Sequence, residues 1–311
     1  MIHLLTDRNQ TKRVLIINLN QINKMKNLFK SVITAIATIF SLSTQAQTKS
    51  PKLENSLLWE VSGNGLTKPS YLYGTVHMIC SADYFLTEKT KKAFKKSDKL
   101  ALEINFSDPK EMADVQQLAM GNEPLSKKLS PEQLSKLNSI LQKNTGMTIQ
   151  QVDSFSLLTI MSLISMKSFG CPDLKFYEME FIEMAKKRQL EVTGLETVKF
   201  QFKSFENAYP DSEMINMLEE SNPEETTKLV ENYKNENLET LYKITSDEKV
   251  MNLNAKKYML DERNANWVKI MSEQNKKESV FYAVGSAHLA GDLGLINLLR
   301  KAGYTVKPIM N

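Results

Sequence analysis

The segments most typical of β-strands lie far apart in this chain, and that separation limits the folds it can adopt. Residues 57–61, 71–73 and 279–284 are short runs rich in apolar, aromatic and β-branched side chains, as expected for strands. Much of the sequence between them has helical periodicity, so the sheet must be assembled from distant segments. The pattern predicts an α/β fold, a single domain with a mixed β-sheet and large helical insertions.

Local signals predict the individual elements. Residues 62–65, Ser-Gly-Asn-Gly, predict a hairpin turn between the first two strands. Thr87 is a suitable N-cap for a helix over residues 87–96, and Ser130 followed by Pro131 is typical of a helix start. Further strands are predicted at 99–104, 191–196 and 304–306, and further helices at 155–166, 176–188, within 211–272 and at 293–301.

The first 46 residues differ from the rest in charge. They hold six of the 40 Lys and Arg residues and one of the 36 Asp and Glu residues. The remainder therefore carries 34 basic and 35 acidic residues, a net charge of −1. The overall charge of +4 comes from this leader, so it gives no reason to expect a nucleic-acid partner.

Residues 25–46 have the three parts of an export signal. A basic start at Met25 is followed by an apolar run over 32–42 and by Thr44-Gln45-Ala46, a small-x-small cleavage site. We predict a signal peptide at 25–46, a linker at 47–56 and a domain at 57–311. Residues 1–24 would place polar sequence ahead of the basic start, and we interpret them as a misannotated upstream extension.

This leader predicts a protein that is periplasmic or secreted. Its apolar run is too short for a comfortable membrane span, and nothing later in the sequence resembles one, so no span is expected in the mature chain. Two cysteines follow, Cys80 and Cys171. In an oxidising compartment they can form one disulfide, and the alternative is two buried thiols.

Both histidines of the predicted mature chain occur in the same local context. Gly74-Thr75-Val76-His77 and Gly285-Ser286-Ala287-His288 each follow a short apolar strand, whereas His3 lies ahead of the signal peptide. Glycine after a strand allows a sharp turn or a close backbone approach. Each histidine should then lie at the carboxyl end of the sheet, where open α/β folds bind ligands.

Two carboxylates have a similar placement. Glu103 lies near the end of an apolar strand, and Glu196 follows Gly194-Leu195 at another strand exit, although either could be a solvated edge residue. Two imidazoles and two carboxylates suit a divalent transition metal with an open coordination position. Without a metal, the same groups suit general-base hydrolysis with a histidine oriented by a glutamate. The sequence shows no nucleophile elbow, HExxH helix, phosphate loop or dinucleotide fingerprint.

Together these motifs resemble the TraB/GumN family. The resemblance rests on the first Gly-x-x-His motif, Glu103, Gly194-Leu195-Glu196-Thr197, Glu262-Arg263-Asn264 with Trp267, and the second Gly-x-x-His motif, in that order, and it covers about residues 57–309. By composition alone, Arg263 and Asn264 would be a charged helix face. The family implies a fold similar to the erythromycin-esterase and ChaN-like group, and its animal TIKI members are described as divalent-metal-dependent proteases.

The resemblance implies a site made of His77, Glu103 and His288, which would bind one divalent cation (Mn, Co or Zn) and act on a peptide or protein substrate. Gly74, Gly285, Asn264 and Glu178 would support the site, and Glu178 stands where many members have Asp. From residue type we assign Glu196 as the general base and Arg263 as the oxyanion partner. Two alternatives stay open: a metal-free, esterase-like hydrolase with a histidine base, and a haem- or ligand-binding protein without catalysis.

Overall fold

The strands follow the order expected from the sequence, and two further short strands are present, at residues 78–80 and 174–176. The computed structural model describes residues 52–220 and 223–311, so the segment at 1–24, the signal peptide at 25–46 and part of the linker lie outside the described residues. The strands are Leu58–Ser62 (β1), Ser70–Thr75 (β2), Met78–Cys80 (β3), Lys99–Leu102 (β4), Leu174–Phe176 (β5), Glu191–Gly194 (β6), Val280–Gly285 (β7) and Thr305–Pro308 (β8).

Six of these strands form one mixed sheet in the order β6-β4-β7-β2-β1-β8. The first four strands in this order, β6, β4, β7 and β2, are parallel to one another, whereas β1 is antiparallel to both β2 and β8. Thr75 pairs with Gly285, and Leu102 pairs with both Ala283 and Gly194. The carboxyl ends of four strands from distant parts of the sequence therefore meet at one edge of the sheet.

Helices make up most of the chain between the strands. They are Glu88–Lys96 (α1), Pro109–Ala119 (α2), Leu125–Lys128 (α3), Pro131–Thr145 (α4), Ile149–Val152 (α5), Leu157–Ser168 (α6), Tyr177–Arg188 (α7), Val198–Ala208 (α8), Asp211–Glu220 (α9), Pro223–Lys234 (α10), Leu238–Thr245 (α11), Leu253–Lys256 (α12), Glu262–Asn275 (α13) and Leu295–Lys301 (α14). A π-helix, Lys257–Asp261, joins α12 to α13, and a 3-10 turn, Ser286–His288, follows β7.

The local signals explain where several elements begin. The hydroxyl of Thr87 accepts the N–H of Thr90 at the start of α1, and Ser130 forms a capping box with Gln133 at the start of α4. The turn between β1 and β2 has Gly63 at φ 77°, a conformation that glycine adopts without strain. The expected α/β fold is confirmed.

The described residues belong to one compact unit with two apolar cores. One surrounds the sheet and contains Trp59, Tyr73, Phe281 and Trp267. The other lies among the helices of the insertion, with Leu137 of α4 and Ile160 of α6 fully buried in it. Within the described residues, no helix combines the length and the apolar character needed to cross a membrane.

Candidate active site

The four parallel strands deliver the candidate side chains to one edge of the sheet. His77 follows β2, Glu103 follows β4, Glu196 follows β6 and His288 follows β7. The structure therefore brings together residues that are up to 211 positions apart in the sequence. The carboxyl ends of parallel strands are the usual location of ligand sites in α/β folds.

The glycine of each Gly-x-x-His motif lies where a side chain would collide with atoms of a neighbouring residue. A Cβ at Gly285 would lie 3.0 Å from Nε2 of His77 and 3.3 Å from Oε1 of Glu103. A Cβ at Gly74 would lie 3.0 Å from the Cβ of Ser286. Both glycines are thus required by close approach, one beside the site and one between neighbouring strand exits.

His77 is oriented by a buried carboxylate. Its Nδ1 donates to Oε1 of Glu178 at 2.8 Å, and Thr75 donates its hydroxyl to the same oxygen at 3.0 Å. The φ of His77 is 59°, which is strained for a residue with a side chain. The cost of burying its charge lowers the pKa of His77. The negative charges of Glu178 and Glu103, together with the hydrogen bond to Glu178, outweigh that cost and raise the pKa of His77 to about 9.

His288 has the opposite electrostatic environment. Its side chain is buried, its Nδ1 donates to Oδ1 of Asn264 at 2.7 Å, and its Nε2 accepts an N–H from Nη1 of Arg263 at 3.2 Å. Because a guanidinium can only donate, Nε2 of His288 must be unprotonated. Burial and the charge of Arg263 lower the pKa of His288 to about 3, so the ring is neutral at neutral pH.

Glu103 lies between the two histidines. Its Oε1 accepts the backbone N–H of Gly285 at 2.7 Å and lies 3.9 Å from the Nε2 atoms of both His77 and His288. Burial would raise the pKa of Glu103, but the charges of Arg263 and His77 and the hydrogen bond from Gly285 hold it well below its usual value. The ionised carboxylate is thus the shared partner of both imidazoles.

The other oxygen of Glu103 is held by two donors. Nη2 of Arg263 lies 2.5 Å from Oε2, and Nε2 of Gln201 lies 3.0 Å from the same atom. Arg263 also donates through Nη1 to the carbonyl of Met259 in the π-helix, at 2.8 Å. π-Helical turns are frequent at functional sites. Here the π-helix supplies the carbonyl that fixes the position of the guanidinium.

Glu196 lies behind Arg263. It accepts from Nε and Nη2 of Arg263 and from Nε1 of Trp267 at 2.9 Å. Burial raises the pKa of Glu196 despite the guanidinium beside it. Its contacts suit the positioning of Arg263 better than proton transfer to a substrate. Arg263 itself has every N–H engaged, which suits it to holding Glu103 and His288 rather than an oxyanion.

A cavity of about 250 Å³ opens onto this cluster. Its lining combines the site residues with apolar side chains of the helical insertion: His77, Glu103, His288, Arg263, Gln201, Leu158, Val198, Phe202, Phe205 and Met259. Glu196 is not among the lining residues and borders a different cavity, beside Gly194 and Thr197. The histidines and Glu103 are therefore the groups that a molecule in the cavity would meet.

A disulfide connects the first histidine motif to the helical insertion. Cys80 at the end of β3 is bonded to Cys171, and β3 pairs with β5 in a small antiparallel sheet. The backbone N–H of Tyr177, directly after β5, donates to the carbonyl of His77 at 2.8 Å. This connection places Glu178 beside the imidazole that it orients.

Two contributors were missed by sequence reasoning. Gln201 lies in α8 three residues after the first residue of that helix, and a glutamine in a helix gives no sign that it reaches a buried carboxylate. Met259 contributes through its backbone carbonyl, which no residue type reveals. One signal could have identified Gln201: it lies on the helix that begins directly after Glu196-Thr197.

Comparison with known proteins agrees with the arrangement of these motifs. A sequence profile of the TraB/PrgY/gumN family matches residues 57–308, which includes every residue of the site. The chain belongs to the TraB/PrgY/gumN family. The matched residues contain both the sheet and the helical insertions, so the similarity to the family extends over the whole fold described above.

Curated relatives carry the name of a protease. The chain is 23% identical to metalloprotease TIKI1 of Danio rerio over 84% of its own length and 65% of the relative. It is 24% identical to metalloprotease TIKI1 and 23% identical to metalloprotease TIKI2 of Xenopus tropicalis, over 81% and 83% of the chain and 61% of each relative. The chain therefore spans less than two thirds of the length of these relatives.

The cluster fits a divalent cation in donor type and orientation. Metal-bound histidines are usually oriented by a hydrogen bond from the other ring nitrogen, as Glu178 and Asn264 provide here. Each Nε2 lies 3.9 Å from Oε1 of Glu103, less than twice a metal–ligand bond of about 2.1 Å. Among the described residues, however, no three His, Cys, Asp or Glu side chains are arranged so that they could hold a metal ion as they stand.

Proposed function

We propose that this chain is an exported metal-dependent hydrolase of peptide bonds, with one divalent cation held by His77, Glu103 and His288. The observation that carries the proposal is that both imidazoles face one carboxylate oxygen, at 3.9 Å each, while their Nδ1 atoms are bound by other side chains. The relatives named as metalloproteases support the reaction class.

The charges of the cluster favour a cation. Glu103 and Glu196 are buried carboxylates that contact the buried guanidinium of Arg263, and Glu178 is a third buried carboxylate that contacts His77. Even with His77 protonated, the negative charges exceed the positive ones by one. Buried charge without a partner is costly, so binding of a cation beside Glu103 would lower the free energy of the folded protein.

The chain's own residues prepare the site for hydrolysis. A bound divalent ion would polarise the scissile carbonyl and lower the pKa of an attacking water. Glu178 and Asn264 fix the ring orientations of the two histidines, and Arg263 and Gln201 fix Glu103. The apolar wall of the cavity excludes bulk water from one side of the site.

Export is part of the proposal and has two supports. The leader over residues 25–46 has the pattern of a signal peptide, and the Cys80–Cys171 disulfide is of a kind that persists in oxidising compartments. When the full chain is expressed, the N-terminus of the periplasmic or secreted protein should be Gln47 or a residue close to it. N-terminal sequencing that finds Met1 or Met25 on the purified protein would refute export by this signal.

A second candidate function is hydrolysis without a metal. It is favoured by one contact: Arg263 already donates to Nε2 of His288 at 3.2 Å, the lone pair that a metal ion would need. In this alternative His77 in its deprotonated form would act as the general base, because the same contact occupies the lone pair of His288. Binding of a metal ion at His288 requires the Arg263 contact to break.

Metal content and activity measured together test the proposal. The exported wild-type protein should contain one divalent ion per chain, cleave unfolded protein substrates and lose activity to a chelator. His77→Ala and His288→Ala should lose both metal and activity. The matched control Glu180→Gln, on α7 with 36% of its side chain exposed, should keep both. Full metal occupancy and full activity in His77→Ala would refute the assigned site, and activity in metal-free wild type would establish the second candidate.

A further inference from the structure

The cavity at the site shares lining residues with two larger ones. A cavity of about 530 Å³ and another of about 520 Å³ flank it. Leu158 of α6 and Phe205 of α8 line all three cavities, and Phe202 lines the central cavity and the first flanking one. The three cavities therefore adjoin Leu158 and Phe205, and we refer to the three together as the cleft.

Methionine and aromatic side chains dominate the apolar lining of the cleft. Seven of the chain's 16 methionines border it: Met78, Met120, Met161, Met166, Met214, Met217 and Met259. Methionine is flexible and polarisable, and surfaces rich in it bind varied apolar partners. The lining is thus suited to apolar side chains of differing shape.

The apolar character of helix α6 is explained by the cleft. The sequence of this helix predicts a buried helix, and Leu157, Ile160 and Ile164 are indeed buried in the helical core. Leu158 and Met161 are only partly buried, and Met166 is 38% exposed. Their uncovered surface faces the cleft, so the helix carries more apolar surface than its own packing uses.

The charged groups at the first flanking cavity nearly balance, with three carboxylates and two ammonium groups. Lys128 and Lys203 border it together with Glu123, Glu206 and Asp211. Lys128 is already paired with Asp211 at 2.9 Å, and Lys203 with Glu206 at 3.2 Å. Charge recognition is therefore weak in this part of the cleft, and its apolar lining is the main source of selectivity.

We infer that the cleft binds an extended segment of unfolded protein and places apolar side chains on both sides of the bond to be cut. A segment that occupies both flanking cavities would pass the site between them, so its cut would be internal to the segment. Leu158, Phe202 and Phe205 are the residues that determine this specificity. The inference rests on the proposed function and adds its substrate class.

Two quenched fluorescent peptides of equal length test the inference. One carries Leu, Met and Phe on both sides of its centre, and the other carries Ser, Thr and Asn at the same positions. Wild type should cleave the apolar peptide near its centre with a kcat/KM about tenfold or more above that of the polar peptide. Leu158→Ser should lower kcat/KM for the apolar peptide by about tenfold, mainly by raising KM, whereas Leu158→Met should restore it.

The control is the same substitution at a leucine outside the cleft. Leu253→Ser, at a side chain that is 79% exposed, should leave both peptides unaffected. Equal cleavage of the two peptides would overturn the apolar specificity and leave the hydrolase proposal standing. If neither peptide is cut, anisotropy of the labelled apolar peptide decides: binding that Leu158→Ser weakens supports the cleft while the function fails, and absence of binding overturns both.

Discussion

Nε of Arg263 donates to both carboxylate oxygens of Glu196, at 3.0 and 3.2 Å, and both side chains are buried. The pair lies on the side of Arg263 away from the cavity that contains the histidines. Glu196 thus acts on the site through the guanidinium, which in turn holds Glu103 and contacts His288. This geometry favours a positioning role over the general-base role that residue type suggests.

Glu196→Gln tests that role. We expect the variant to keep its metal, to lower the free energy of unfolding by about 1–3 kcal/mol and to reduce kcat by roughly ten- to a hundredfold. Urea denaturation, metal quantification and kinetics check the three parts. Glu191→Gln, on the same strand with 66% of its side chain exposed, is the control and should change none of them. Loss of the metal from Glu196→Gln would argue for direct coordination instead.

Glu178→Gln should weaken metal binding without unfolding the protein. The amide can still accept the N–H of His77, but the negative charge that makes the ring a better ligand is lost. Partners of this kind typically contribute about 10- to 100-fold in metal affinity. Competition with a metal-binding dye measures the effect, with Glu180→Gln on the same helix as the control. Equal affinity in the two variants would show that Glu178 does not tune His77.

Gly285→Ala should block the site while keeping the fold. The backbone at Gly285 has φ −54°, which alanine adopts without strain, but the added Cβ would lie 3.0 Å from Nε2 of His77. We expect a loss of activity of at least about tenfold for a destabilisation of about 1–3 kcal/mol. Kinetics and thermal unfolding check the two effects. A fully active Gly285→Ala protein would show that His77 and Glu103 need not approach each other.

Removal of the disulfide should loosen the histidine as well as destabilise the fold. The bridge closes a loop with a sequence separation of 91 residues, so the double variant Cys80→Ser/Cys171→Ser should lose on the order of 4 kcal/mol of stability in the chain-entropy model. Its kcat should also fall, because β3 and β5 hold Glu178 beside His77. Dithiothreitol should reproduce both effects in wild type and change neither in the double variant. If the wild-type cysteines are freely alkylated without reductant, the premise is wrong.

The edge of the sheet could be predicted because its signals are local. Each apolar strand ends in a motif with glycine and histidine, or in a glutamate, and parallel pairing brings such ends together. The position of Glu178 could not be derived in the same way. It depends on the pairing of Met78 with Phe176 in two strands of three residues, which are too short to carry a periodic pattern.

The mutual contact of Glu196 and Arg263 could not be predicted, for a related reason. Residue type suggests a general base and an oxyanion partner, but it cannot show that the two side chains neutralise each other in the protein interior. Gln201 was missed because its hydrogen bond to Glu103 joins residues 98 positions apart. Long-range pairing of polar groups is decided by the packing of α8 and α13 around the strand exits, which no single segment encodes.

The position of β7 in the sheet also determines at what stage of synthesis the site can form. Its residues 280–285 lie between β2 and β4, so the strands made earlier during synthesis have a gap between them until this late segment emerges. Long-range parallel pairing of this kind is intrinsically slow. Until β7 joins the sheet, Glu103 cannot accept the N–H of Gly285, and His288 is not yet beside Glu103. A chain that ends before β7 therefore cannot assemble the site.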